Sequence, residues 1–304
     1  MKRACARIDQ RKPPGYVLAT MRAKTQVVLL GTGTPAPDPA RSGPATAIVA
    51  NGTAYLVDFG PGVVRRAAQA HRDGMAAMAV TKLTRAFLTH LHSDHTAGYP
   101  DLILTPWVIG RSRPLQVYGP EGIRSMTDCI LKAYAADIRI RTEGVEALDP
   151  AGGCVEVHEI EPGIVFTDSN VTVTAFRVRH GDWPQAFGYR FETPDRTIVI
   201  SGDTSPYDGI IECYRGCDVL IHEVYTEASF AEVSHKWQEY RLKYHTSTRQ
   251  LAEIANQVKP EILILTHREN PGGTGGFRPE EEYLDEITRF YSGRVVIGRD
   301  MDVY

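Results

Sequence analysis

From Thr25 onward the apolar positions fall into short runs, each stopped by glycine, proline or a charged residue, and the runs alternate strands with helices. TQVVLL (25–30) is a β-branched run that halts at GTGTPAPDP, a stretch that can only be loop. ATAIVAN and TAYLVDFG flank Asn51-Gly52, a strong two-residue turn signal, and so predict a hairpin. Pro61 is then expected to open a helix over VVRRAAQAHRD, which is rich in good helix formers. TRAFLTH, VTVTAFRVRH, AFGYRFET, RTIVISGD, DVLIHE and EILILTH read as further strands, with helices expected at 121–135, 246–258 and 279–291. The chain shows no internal repeat and no low-complexity linker. Residues 1–24 are basic and are expected to form a poorly ordered extension, leaving 25–304 as the folded domain.

The polar residues that close these runs carry the chemistry. His90 follows TRAFLT, His180 follows VTVTAFRVR, Asp203 follows TIVISG, Glu223 follows DVLIH and His267 follows EILILT. In layered α/β folds ligands collect outside the carboxyl ends of strands, where loops are free to vary over a rigid scaffold. One histidine at a strand end is an ordinary edge residue; the whole set points to a shared site.

Its densest part is FLTHLHSDHTAGYPDL (87–102). A chain leaving a strand in extended form points residues i and i+2 the same way, so His90 and His92 can grip one ion. Asp94 and His95, past the bend, can reach a second. Imidazole and carboxylate suit zinc, and a catalytic zinc takes about three protein ligands with one position open. The missing ligands must come from elsewhere, with His180, Asp203 and His267 the obvious donors. A closed structural zinc site favours cysteine, and no cysteine lies near these motifs.

Composition narrows the picture by exclusion. With 42% hydrophobic and 23% charged residues and a formal net charge of -3, the chain shows no global attraction for nucleic acid or anionic membrane. The five cysteines are odd in number and irregularly spaced, which fits reduced thiols and a cytoplasmic location. Cys213 and Cys217 lack a second pair and read as buried small apolar residues. No run reaches the length of a spanning helix, so no membrane partner is expected.

T-H-L-H-S-D-H, His180 after a strand, S-G-D-T (201–204) and L-T-H (265–267), preceded by G-T-G-T-P and V-D-F-G, resemble the metallo-β-lactamase superfamily in its ribonuclease Z-like branch. The resemblance covers roughly residues 25–304. It implies an α/β fold, a four-layer αββα sandwich of two mixed sheets with helices outside. It also implies two zinc ions, with manganese or a mixed zinc–iron pair as alternatives, and a homodimer. On the family pattern His90, His92 and His180 hold the first metal, Asp94, His95 and His267 the second, and Asp203 bridges. I-H-E-V (221–224) and Y-H-T-S-T (244–248) resemble two further motifs and add Glu223 and His245, the carboxylate orienting the imidazole. His222 precedes Glu223 on a strand and should face the other way. The implied reaction is metal-assisted hydrolysis, with Asp94 orienting the nucleophile and His245 serving the leaving oxygen. A redox role fits less well, because di-iron members generally show an acidic residue where this chain has His92.

G-T-P-A-P-D-P and D-F-G-P-G-V-V-R-R resemble the arylsulfatase-like, small-phosphodiester side of the branch, which implies a small anionic ester as substrate, an aryl sulfate or phosphodiester. Ribonuclease Z carries a long inserted arm between its third-motif histidine and bridging aspartate, whereas His180 and Asp203 are 23 positions apart. The family's glycine-acid-glycine-threonine-glutamine segment is replaced by Gly60-Pro61-Gly62-Val63-Val64. Nucleic acid is therefore disfavoured but left open, and ribonuclease Z-type tRNA 3′ processing stands as the rival, with a non-catalytic metal-binding sensor as a third reading. Trp107, Trp183 and Tyr207 are candidate contacts for an aryl group, and Arg268 for the anion. The loop PGGTGGF (271–277) is glycine-rich enough to act as a lid.

Overall fold

The computed structural model describes residues 25–268 and 278–304. The extension over 1–24 and the loop over 271–277 lie outside the described residues.

Among the described residues, thirteen strands form two sheets. The first runs in chain order through β1 (Thr25–Gly31), β2 (Ala45–Ala50), β3 (Thr53–Val57), β4 (Arg85–Phe87), β5 (Leu115–Gly119) and β6 (Val155–Glu159). The second holds β7 (Gly163–Thr167), β8 (Thr172–Arg177), β9 (Phe187–Glu192), β10 (Thr197–Ile200), β11 (Val219–Val224), β12 (Ile262–Arg268) and β13 (Val295–Ile297), again side by side in chain order. Both sheets are mixed: β1 to β3 and β7 to β10 pair antiparallel, β3 to β6 and β10 to β13 parallel. The predicted hairpin forms at Asn51 and Gly52, whose φ of 48° and 78° are the left-handed pair that a tight turn needs.

Side-chain alternation turns each central strand into a wall with two apolar faces. On β1, Val27 and Leu29 face the layer between the sheets, while Val28 and Leu30 face helices. On β10 to β12 the inner set is Ile198, Ile200, Val219, Ile221, Ile262 and Ile264. The alternate residues Val199, Leu220, Leu263 and Leu265 pack outward.

The helices are α1 (Val63–Arg72), α2 (Ser93–Thr96), α3 (Tyr99–Val108), α4 (Ile123–Ala133), α5 (Ala135–Glu143), α6 (Ile210–Tyr214), α7 (Glu227–Glu232), α8 (His235–Tyr244), α9 (Thr248–Val258) and α10 (Glu280–Thr288). α1, α3 and α4 cover the outer face of the first sheet through Val63, Ala67, Leu102, Ile103 and Ile123. α6, α9 and α10 cover the second through Ile210, Tyr214, Leu251, Ala255, Tyr283 and Ile287. The result is the four-layer αββα sandwich. Helix α1 begins at Val63, the first residue of the expected run, but Gly62, with φ 95°, is its N-cap, so Pro61 lies outside it and does not open it. Cys217 is buried in the outer cluster with Cys213 packed against it, as small apolar residues. Among the described residues no helix is long and apolar enough to cross a membrane.

Candidate metal centre

At one end of the sandwich the strand-terminal residues meet. β4 ends at Phe87, and past a bend at Thr89 the chain places His90 Nε2 within 2.9 Å of His92 Nδ1. The one-turn helix α2 then offers Asp94 and His95. His180 arrives from the end of β8, with its Nε2 3.1 Å from His92 Nδ1, and Asp203 from the end of β10. Gly60 makes room for this turn, since a Cβ there would lie 2.5 Å from the Asp94 carbonyl oxygen.

His267 reaches the site against the rule of alternation. It follows Leu263 and Leu265, which face the helices. Between β11 and β12 the register shifts, Glu223 pairing with Thr266 but Val224 with Arg268. His267 is the extra residue of this bulge, and its φ of 41° turns the ring inward, to 3.1 Å from Asp94 Oδ2. A non-glycine residue in that region is held at a cost by its surroundings, as is common at functional sites.

Donor atoms from His90, His92, His180 and Asp203 lie within 4.8 Å of one another, as do those of Asp94, His95 and His267. Asp203 Oδ2 stands between the groups, 3.8 and 3.9 Å from His90 and His180, and 3.4 and 3.5 Å from His95 and His267. Three rings are tethered by their outer nitrogens. His90 Nδ1 meets the Thr89 hydroxyl at 3.0 Å, His180 Nδ1 meets the Tyr244 carbonyl at 2.9 Å, and His95 Nδ1 meets Asp58 Oδ2 at 2.8 Å. The inner nitrogens are left to converge, and His95 Nε2 is buried without a hydrogen-bond partner. Converging inner nitrogens, outer-nitrogen tethers and two buried carboxylates form a donor set that suits divalent cations.

Asp58 is the residue that the sequence reading missed. It closes β3 in the left-handed region (φ 62°) and accepts from the Thr89 N–H at 2.8 Å as well as facing His95. Glu223 is 2% exposed; its Oε2 lies 3.2 Å from His245 Nδ1, and its Oε1 accepts from the Thr246 N–H at 2.9 Å. Burial pushes Glu223 up to about 7, against the pull of the neighbouring His245. His222 faces the opposite side, its Nδ1 2.7 Å from the Glu223 carbonyl.

Of the expected substrate contacts, only Trp183 lies among these residues, its indole donating to His92 Nε2 at 2.7 Å. The other three expectations are corrected. Trp107 is 2% exposed and its indole donates to the Asp149 carbonyl, inside the layer outside the first sheet. Tyr207 donates its hydroxyl to the Arg177 carbonyl and packs on the outer cluster of the second sheet. Arg268 is 4% exposed, pairs with Glu280 and lies over the Tyr283 ring, because the strand throws it to the side opposite His267. Beside Asp94 a groove of about 650 Å³ opens, walled by Thr34, Pro35, Pro37, Pro61, Ser93 and Ala97.

The two groups differ in protonation. Burial holds His90 well below its ordinary value and His180 at about 3. For His267 burial is outweighed by Asp203 and Asp94, which lift it to about 10, and Asp94 and Asp203 likewise lift His95 well above its ordinary value. A cation entering the Asp94, His95, His267 group is therefore expected to displace more protons at neutral pH than one entering the His90, His92, His180 group. Calorimetric metal titration in buffers of different ionisation heat checks this; release at the first group instead would reverse the assignment. The same titration should change the indole emission, and not in Trp183→Phe. If His92 Nδ1 turns a lone pair to a cation, its proton moves to Nε2, where it meets the Trp183 N–H and the bond is lost.

The Beta-lactamase superfamily domain matches residues 53–268. The chain is 33% identical over 280 residues to "Ribonuclease Z" of Mycobacterium bovis (strain BCG / Pasteur 1173P2), covering 91% of this chain and 96% of that protein. It is 34% identical over 278 residues to "Ribonuclease Z" of Mycobacterium sp. (strain KMS), covering 91% and 94%. Among solved structures, the metallo-beta-lactamase fold protein YhfI from Bacillus subtilis superimposes with a TM-score of 0.68 at 20% identity, over 92% of this chain and 99% of that one. Human tRNase Z, short form, gives 0.65 at 24% identity, over 92% and 98%; at such identities the likeness is one of fold. Profile, relatives and fold agree with the site's donor set: the chain belongs to the metallo-β-lactamase superfamily, in its ribonuclease Z-like branch, and is a metal-dependent hydrolase of ester bonds.

Proposed function

We propose that this chain is a two-metal phosphodiesterase that cleaves RNA, as the name shared by its mycobacterial relatives states of them. His90, His92 and His180 would hold one divalent cation and Asp94, His95 and His267 the other, with the Asp203 carboxylate between the two groups; zinc is the ion such donors suit. When bound, the pair supplies a water that ionises near neutral pH and a Lewis acid toward the phosphoryl oxygens. Asp94 orients the nucleophile. His245, fixed through Nδ1 by Glu223, donates a proton from Nε2 to the leaving oxygen. The observation that carries the reading is this imidazole, buried beside both ligand groups yet belonging to neither.

RNA displaces the small ester as the leading substrate. The match spans 96% of a relative called Ribonuclease Z, which leaves that protein no room for a long arm that this chain lacks. The missing arm therefore does not separate this chain from it. A small phosphodiester is kept as the second reading, because β9 and β10 fill the span between His180 and Asp203.

The deciding assay uses zinc- and manganese-loaded protein against precursor tRNA, unstructured RNA, bis(p-nitrophenyl) phosphate and aryl sulfates. Cleavage of phosphodiesters, with the higher kcat/KM on RNA and none on sulfates, is expected. Turnover of the small diester alone selects the second reading, and turnover of aryl sulfate alone removes both.

A further inference from the structure

Helix α8 carries Trp237, Tyr240 and Tyr244 at i, i+3 and i+7, one above the other on a single face. Such a stripe ordinarily packs into a core. Here it does not: the one buried residue of α8 is Arg241, Trp237 is 43% exposed, and both tyrosines are half-buried.

The rings form a ladder into the metal centre. Trp237 meets Tyr240 edge-on at 5.4 Å, and Tyr240 stacks on Tyr244 at 4.4 Å and 15°. Tyr240 also lies 5.6 Å from His245, and Tyr244 lies 5.1 Å from His180. The inner rung is rigid. The Tyr244 hydroxyl lies 3.0 Å from Asp182 Oδ2 and accepts from the Asp182 N–H at 3.2 Å, while Lys243 pairs with the same carboxylate. Its ring fills the space over Gly181, where a Cβ would come within 1.8 Å of Cζ. Tyr240 therefore rests on a fixed base, and the exposed indole stands one ring beyond it, two ring contacts from His245.

We propose that Trp237 and Tyr240 form a stacking platform for the nucleobase of the nucleotide whose oxygen leaves, so that the site takes a strand of RNA in preference to a lone phosphodiester. The proposal rests on the RNA reading above and adds the part of the strand that is gripped. An aromatic face tolerates any base, since every base has a π-face, so the platform supplies affinity and direction without selecting sequence.

The test measures binding of short single-stranded oligoribonucleotides to the metal-free full-length protein. Trp237→Ala and Tyr240→Ala should each weaken binding roughly 5- to 100-fold, the loss expected for one stacked base. Trp237→Phe should largely restore it, and Leu242→Ala, an exposed change on another face of α8, should match the wild type. Binding of wild-type protein should quench indole emission, and Trp237→Phe should lose most of that quench while still binding. An abasic oligonucleotide should not distinguish wild type from Trp237→Ala. If Trp237→Ala binds the normal oligonucleotide as wild type does, or loses the abasic one equally, the platform is overturned and the RNA reading stands. If the wild type binds no oligonucleotide yet cleaves small diesters, the RNA reading falls and takes the platform with it.

Discussion

Asp203→Ala should disable both ligand groups together, so that purified protein holds well under one transition-metal ion per chain where wild type holds about two. Its Oδ2 faces His90, His95, His180 and His267 at 3.4 to 3.9 Å, and it is 3% exposed, so no water-borne anion takes its place readily. The metal-free site changes too. Asp203 raises the basicity of His95 and His267. Without it those rings lose basicity, and the proton release on metal addition should fall. An affinity loss well beyond the roughly 10- to 100-fold seen for outer partners is expected, because the lost group faces the ions directly. His180→Ala should instead affect mainly the group it shares with His90 and His92. Elemental analysis decides: an Asp203→Ala protein that retains both ions refutes the shared role, and a wild-type protein that never holds more than one refutes the dinuclear centre.

The strand-end rule found most of the site because it has a physical basis. The last residue of a buried strand is rigidly aimed and its neighbour is loop, so a polar group there stands at the rim of the sandwich. The same rule applied to TAYLVD names Asp58, which closes β3 as His90 follows β4. VDFG reads as the end of a hairpin and as part of the family resemblance, and neither reading assigns its aspartate a partner in the site. His267 is the opposite case. Alternation from Leu263 and Leu265 sends it toward the helices, and only a bulge with a left-handed residue brings it back, for which a single histidine codon gives no local sign. The strand-end position of His267 after EILILT, not alternation along the strand, marks it as a donor.

The misplaced contacts share one cause, the use of nearness in sequence for nearness in space. Trp107 lies on α3, whose apolar side faces the first sheet, and Arg268 adjoins a ligand on a strand that throws neighbours apart. Elements that bury no face were also invisible. β6 and β7 are edge strands with most positions open, and α8 buries one residue, so neither two- nor 3.6-residue periodicity marks them. α8 nevertheless bears the aromatic ladder, which suggests where to look in such chains: an aromatic repeat without an apolar face behind it.

His245→Ala should keep both metal groups loaded and lower kcat by roughly 10²- to 10⁴-fold, the usual contribution of a general acid. Retention of metal follows from geometry. His245 belongs to neither group, its ring lies 5.4 Å from His180 and 6.2 Å from His267, and its Nδ1 faces Glu223. The carboxylate is itself fixed by the Thr246 N–H, so it holds the imidazole with Nδ1 toward it and Nε2 turned away from it. The loss should therefore grade with the leaving group. Nitrophenolate departs without help and should suffer least, while the alkoxide of a ribose needs the proton and should suffer most. Glu223→Gln should give a milder form of the same gradient, since the imidazole remains and loses only the charge that orients it. Metal content, kcat on bis(p-nitrophenyl) phosphate and kcat on an RNA diester, measured on the same preparations, settle the roles. Loss of metal would make His245 a ligand, and an equal fall on both substrates would assign it to positioning the phosphate and not to proton transfer.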